Sequence, residues 1–345
     1  MKKHINIPVF IPHLGCPNQC VFCNQKTISG VRTFDESDVK RTIEEALSTV
    51  SSETEAEIAF FGGSFTGIDE SLMVRLLKIA YSFVKEGRVS SIRCSTRPDY
   101  ISRDKLEILS KYGVKVIELG LQSISDDVLA QTKRGHSFDE ERRAVSLIVS
   151  SGFTLVGQMM IGLPASTLES EIETARFIIS SGAKGARIYP TVVFHDTELC
   201  EMAKSGIYTP ISLEEAVERS AKVFSLFLEN NIDVIRIGLC SSENLSSDDC
   251  YFAGPNHAAL GEMVISRYYY NKIIERINDL LTKKGDKINI AVARGRLSSL
   301  IGQKKTNKIL LTKLFPDLTL SFSERAELSG YGISVEKESG ENKCT

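Results

Sequence analysis

Three of the eight cysteines in this 345-residue chain, Cys16, Cys20 and Cys23, fall within the stretch HLGCPNQCVFCNQKT. Thiolates in a C-x3-C-x2-C pattern are metal ligands, yet no second pair follows to close a tetrahedral set. His13, at the end of an apolar run, is the one neighbour that could serve as a fourth ligand to zinc. A [4Fe–4S] cube needs only thiolates, and three of them leave one iron without a protein ligand. An iron open in this way can bind a chelating substrate. The pattern points first to a three-cysteine iron–sulfur cluster, with zinc or unliganded core thiols as the alternatives.

The bulk composition sets the context. Hydrophobic residues make up 42% and charged residues 25% of the chain, as in a globular protein with a large core. The opening MKKHINIPVFIPH is too short and too interrupted for a signal peptide. No apolar run approaches the roughly 18 residues of a membrane span, so the expected location is cytoplasmic, with no membrane partner. In a reducing compartment a cysteine cluster reads as metal or redox chemistry, not as disulfides. The net charge of −2 is unevenly divided. Residues 1–257 carry 27 Lys+Arg against 34 Asp+Glu, and residues 258–345 carry 15 against 10, with most of the excess in 258–313.

Elements that could position the cysteines are readable from periodicity. Apolar, β-branched runs at 5–11, 57–63, 90–95, 114–121, 153–161, 185–191 and 232–238 alternate with amphipathic stretches at 36–50, 69–86, 102–112, 138–150, 167–180, 197–205 and 213–230. Asp69 is a helix cap, and Ser212 with Glu215 is expected to form a capping box. Such alternation predicts an α/β fold: a partial (β/α)6-type TIM barrel over residues 1–240. A small α/β extension is expected over 241–335, with a long helix near 257–284 and strands near 288–294 and 318–322, and 336–345 reads as a flexible tail. In a barrel the chemistry gathers where strands end. The cysteine loop, GGSFTG (62–67), STRPDY (95–100), QS (122–123), GLP (162–164) and Tyr189 all fall there.

With these motifs in place, the chain resembles the radical S-adenosylmethionine (SAM) superfamily, whose mark is C-x3-C-x2-C after the first barrel strand. The motifs STRPDYI, ELGLQS, KRGH, GQMMIGLP and RIYPTVVFHDTELCEMAKSGIY, in this order over about residues 5–240, resemble the radical-SAM part of the Elongator catalytic-subunit family. The resemblance implies a [4Fe–4S] cluster on Cys16, Cys20 and Cys23 and SAM as cofactor. It implies SAM contacts from Gly62, Gly63 and Ser64, from Ser95, from Gln122 and Ser123, and from Arg134 as the cation for the carboxylate. Ser95 stands where the wider superfamily commonly has Glu, which shifts the ribose contact toward Gln122. Arg187 and Tyr189 are the candidates for the substrate side. Arg97 and Asp99 read as a loop-shaping pair or as direct contacts, and His136 either touches ligand or packs. Met159 and Met160 are core or pocket wall. His4, His195 and His257 read as structural, and Cys94, Cys200, Cys240, Cys250 and Cys344 show no ligand spacing.

The family also implies an electron donor such as flavodoxin or ferredoxin; the oligomeric state is not readable. The string ELSGYG (327–332) carries Glu327 where an acetyl-CoA loop needs a basic or amide residue, so acetyl transfer is not expected. Gln25 stands where coproporphyrinogen oxidases add a cysteine, which disfavours that activity. Three readings follow: a radical SAM enzyme acting on tRNA, with 258–313 supplying phosphate contacts; one acting on a small molecule or tetrapyrrole; or a non-enzymatic iron–sulfur module.

Overall fold

The computed structural model describes residues 4–11, 16, 20–24, 34–51, 53–239 and 250–338. Its centre is a seven-stranded parallel sheet, made of β1 (His4–Phe10), β2 (Glu55–Phe61), β3 (Ser91–Thr96), β4 (Val114–Gln122), β5 (Thr154–Ile161), β6 (Gly185–Pro190) and, passing over the two-residue β7 (Val193–Phe194), β8 (Asp233–Ile237). The first six lie side by side in chain order and β8 extends the sheet beyond β6. The sheet curls into the partial barrel expected from the alternation, with one strand for each of the seven apolar runs.

Helices return the chain between strands: α1 (Asp38–Ser48), α2 (Glu70–Lys85), α3 (Arg103–Lys111), α4 (Asp126–Gln131), α5 (Phe138–Ser150), α6 (Leu168–Ser180), α7 (Glu198–Lys204) and α8 (Leu213–Glu229). Asp69 caps α2, its carboxylate accepting from Leu72 N at 3.0 Å, a contact typically worth about 1 kcal/mol. Ser212 accepts from Glu215 N at 3.1 Å, but the Glu215 carboxylate is held by Arg219 at 3.0 Å, so the expected capping box is only half made. Full boxes form instead at Ser137/Glu140 and Thr167/Ser170. Six-residue α4 is too short to show a period, and was missed.

Alternation along the strands sorts side chains onto two faces. Ile58, Phe60, Ile92, Cys94, Ile117, Leu119, Leu155, Met159 and Ile188 are buried in the main hydrophobic cluster, and this settles Met159 as core. Met160, one residue on, is half-buried on the opposite face, with Gln158. Desolvation in that cluster pushes the Cys94 thiol far above its usual range, so it stays protonated.

Beyond the barrel, β9 (Tyr251–Ala253) pairs with β7. The long α9 (Leu260–Asp279) packs on α8 and against a second sheet. That sheet has the order β11 (Thr319–Arg325), β10 (Lys287–Ala293), β12 (Ile333–Lys337). The helices α10 (Leu297–Ile301) and α11 (Thr306–Leu314) lie between β10 and β11. Phe224 of α8 meets Tyr268 and Tyr331 edge-on, so the two sheets share one core across residue 240. β12 was missed, and it takes Glu336 and Lys337 out of the expected tail. The string ELSGYG leads directly into this strand, not into a helix. His13, Gln25, Cys240 and Cys344 lie outside the described residues.

Candidate active site

The cysteine loop leaves β1 at Ile11, whose N–H bonds to Phe61 O at 2.7 Å. Gly62 sits against that exit with φ +95°, and a Cβ there would meet Ile11 N at 3.2 Å. Both conformation and space therefore demand glycine, because the backbones of β1 and β2 approach each other here. Gly63 is half-exposed and Ser64 buried. Ser64 opens the single turn Phe65–Gly67, its carbonyl accepting from Gly67 N at 2.9 Å.

Val21 anchors the loop. Its N–H donates to Thr132 O at 3.1 Å and its carbonyl accepts from Leu199 N at 2.8 Å, pinning the segment between the ends of α4 and α7. Its side chain is buried with Val193, Leu199, Cys200 and Tyr208. A turn then joins Cys23 N to Cys20 O at 2.9 Å. Cys20 is buried, while Cys16 and Cys23 are half-buried. Among the described residues no three Cys, His, Asp or Glu side chains are gathered closely enough to hold a metal ion, Cys16, Cys20 and Cys23 included. What surrounds Cys20 is cationic: Arg97 Nη1 and Arg134 Nη1 each donate to its Sγ at 3.4 Å. Two buried guanidinium groups thus converge on one sulfur. The donor set fits an iron–sulfur cluster in its chemistry: thiolates on one loop, with cations to offset the negative charge that a thiolate-ligated cluster carries.

The two arginines are held in place. Arg97 forms a fork with Asp99, at 2.9 and 3.1 Å, and also donates to Arg134 O. Arg134 Nη2 donates to Gly120 O at 2.6 Å. Arg97 thus shapes the loop with Asp99 and reaches the cysteine at once. Gln122 lies where β4 bulges against β5, with φ +69°. A Cβ on Gly120 would come within 2.9 Å of Gln122 Nε2, so the glycine of ELGLQS makes room for Gln122, a role that had not been read. Ser95 is half-buried on β3. Ser123 spends its Oγ locally, accepting from Ser125 N at 3.2 Å.

His136 is not at a surface. Its side chain is fully enclosed, with Nε2 3.0 Å from Glu141 Oε1 and Nδ1 3.4 Å from Arg97 Nη2. Burial, assisted by Arg134, pushes its pKa down to about 4, while burial raises that of Glu141 well above the usual carboxylate range. Unfolded, the two titrate near 6.5 and 4.5. The depressed His136 costs stability as pH falls below 6.5, and the raised Glu141 costs stability as pH rises above 4.5. Between 4.5 and 6.5 these two slopes oppose each other. A Glu141→Gln protein, which keeps the His136 slope and lacks the Glu141 loss, should therefore gain more stability than wild type as pH rises from 4.5 to 6.5. Urea midpoints that move in parallel over that range would contradict this.

Deeper in the barrel lies a layer of buried charge that had not been anticipated beyond Arg187. Glu118 on β4 accepts from Arg93 Nη1 at 2.9 Å, from Arg187 Nε at 2.7 Å and Nη2 at 2.9 Å, and from Gln158 Nε2 at 2.9 Å. Arg93 reaches Glu57 at 2.5 Å, and the Arg187 guanidinium lies over Phe61 at 5.6 Å. Two carboxylates and two guanidinium groups leave the layer neutral. Tyr189 is half-buried beside it, close enough to Arg187 for that charge to act on its phenol. Arg187 is thus committed to an ion pair, and Tyr189 is the more accessible of the two substrate-side candidates.

Structural roles account for several remaining residues. His257 Nδ1 accepts from Ala259 N at 3.1 Å at the start of α9, and His195 stacks edge-on to Phe252. The GLP turn is fixed by Glu171, which accepts from Gly162 N at 2.7 Å, and by Tyr208 Oη, which donates to Gly162 O at 2.6 Å.

Residues 10–178 match the family described as the Radical SAM superfamily, and residues 183–270 match the Radical_SAM C-terminal domain. Elongator complex protein 3 of Homo sapiens is 31% identical over 207 residues, which is 54% of this chain and 38% of that protein. The tRNA uridine(34) acetyltransferase of Methanocaldococcus infernus is 35% identical over 134 residues, 38% of this chain and 25% of that protein. The chain thus spans between a quarter and two-fifths of these relatives' lengths. The solved structure of Methanocaldococcus infernus Elp3 with an N-terminal deletion superposes with a TM-score of 0.60 at 22% identity, covering 80% of this chain and 64% of that one, which establishes a shared fold. Among the described residues no helix is long and apolar enough to cross a membrane.

Proposed function

From the premise that the chain belongs to the radical SAM superfamily and is an enzyme, we propose that Cys16, Cys20 and Cys23 hold a [4Fe–4S] cluster for reductive SAM cleavage and that the substrate is tRNA. The observation that carries the cluster reading is Cys20, buried at a strand mouth beneath two guanidinium groups. When bound, such a cluster supplies the electron that cleaves SAM to methionine and a 5′-deoxyadenosyl radical. The chain's own residues hold and shield that chemistry. Val21 fixes the loop, and Arg97 and Arg134 offset charge at Cys20. Gly62, Gly63 and Ser64 bring backbone to the SAM methionine end, while Ser95, Gln122 and Ser123 stand along the nucleoside side. Arg134 faces both the cysteine and the strand-four mouth, consistent with a carboxylate contact. Tyr189, positioned by Arg187, faces the substrate. A flavodoxin- or ferredoxin-like protein supplies the electron.

The tRNA reading is supported by the relative named as a tRNA uridine(34) acetyltransferase. Adding bulk tRNA to reduced, SAM-loaded protein should raise 5′-deoxyadenosine formation above its uncoupled rate. Stimulation that survives complete RNase digestion, or no stimulation, would contradict the tRNA assignment and point to a small-molecule substrate.

A further inference from the structure

Nine of the twelve basic residues of 258–313 fall into two groups. Arg267 pairs with Glu218 at 3.4 Å, Lys272 with Glu229 at 2.7 Å and Glu275 at 2.9 Å, and Lys284 with Asp317 at 3.5 Å. Arg276 donates to Ile333 O at 2.5 Å. Those of Arg267, Lys272 and Arg276 are engaged by the neighbours of α9, and Lys284 is paired at the surface where the chain turns into the second sheet. Arg294, Lys304, Lys305, Lys308 and Lys313 are different. All are exposed, and none makes an ion pair among the described residues.

Their surroundings make this unusual. The chain as a whole has 42 Lys+Arg and 44 Asp+Glu, yet residues 287–316 contain seven basic residues and no acidic one. Lys304 and Lys305 lead into α11, and Lys308 and Lys313 lie on it. That helix buries only Asn307 and Leu311. The Asn307 amide donates to Ser266 O at 2.8 Å and Leu300 O at 3.0 Å, locking the helix start against α9 and α10. The rest of α11 faces outward, including Ile309, Leu310 and Leu314. A merely solvated face interleaves both signs of charge; like charges at this spacing repel one another until a counter-charge arrives.

We propose that Arg294, Lys304, Lys305, Lys308 and Lys313 form a docking surface for the phosphate backbone of RNA, with the exposed apolar residues of α11 lying against ribose and base faces. The proposal rests on the tRNA reading above, and it narrows phosphate recognition within 258–313 to α11 and the turn after β10. Neutralised phosphates release counterions, so affinity falls with salt in proportion to the number of contacts.

The test is binding of bulk tRNA, by fluorescence anisotropy from 50 to 200 mM salt, to full-length wild type and to a protein carrying Lys304→Gln, Lys305→Gln, Lys308→Gln and Lys313→Gln. The variant should bind roughly tenfold or more weakly, with a slope of log K against log salt shallower by about 3. RNA-independent 5′-deoxyadenosine formation should not change, which shows the fold intact. A Lys304→Gln/Lys305→Gln protein should lie between the two. If wild type binds tRNA and the substituted proteins bind it equally well, this surface is wrong and the tRNA reading stands. If wild type binds no tRNA at any salt, both fall. Substitutions that spare tRNA but abolish capture by phosphatidylserine vesicles would assign the surface to a membrane and overturn the proposal.

Discussion

Glu118→Ala should lower the unfolding free energy by about 3–5 kcal/mol, a large share of the roughly 5–15 kcal/mol available to a folded domain. Glu118 is buried and serves three donors at once: Arg93, Arg187 and Gln158. Removing it strands the Arg187 charge in a low-dielectric layer, with the Phe61 face and the Tyr189 phenol as its remaining partners in that layer. Arg93 keeps Glu57 at 2.5 Å and is affected less. The cost should come mainly from the stranded cation, so Arg187→Met added to Glu118→Ala should restore part of the loss. Urea unfolding of the two single variants and the double variant measures that coupling. A Glu118→Ala protein within about 0.5 kcal/mol of wild type would show that the layer is not sealed from water.

The second large effect concerns the electron. Hydrogen bonds from guanidinium groups to a cluster ligand favour the more negative, reduced state and raise its potential. A charge-assisted hydrogen bond is worth about 1.5–3 kcal/mol, and a one-electron couple shifts 59 mV for about 1.4 kcal/mol. Only the difference between redox states counts, so Arg97→Met should make the midpoint more negative by on the order of 50–100 mV. Arg97→Lys keeps the charge and should retain most of the potential. EPR-monitored titration of reconstituted protein reads this directly. A midpoint unchanged in Arg97→Met would remove Arg97 from the electrostatics of the site.

The sheet was largely legible because its strands are apolar runs of β-branched residues broken by capped helices, and every barrel strand begins and ends within two residues of its expected position. The ends of those strands were legible for the same reason: the cysteine loop, Gly62 and Gln122 break the pattern. What escaped was long-range pairing. Glu57, Arg93, Glu118 and Gln158 look like ordinary polar positions in alternating strands, and nothing local says that they meet across four strands. Val21 looks like filler between two cysteines, although its backbone ties the loop to α4 and α7. His136, after a glycine, could be read only as touching ligand or packing, and its burial depends on Glu141 and Arg97 arriving from elsewhere. The basic segment was visible as composition, but only the structure separates charges used within the fold from those facing outward.

The central claim is a cluster on three thiolates that drives SAM cleavage. Its most direct test is anaerobic reconstitution of wild type and Cys20→Ala, followed by iron analysis and by 5′-deoxyadenosine measurement with dithionite and SAM. Wild type should bind about four irons per chain, as one cubane cluster requires, and form 5′-deoxyadenosine, while Cys20→Ala forms none. A Cys20→Ala protein that still cleaves SAM would contradict the account.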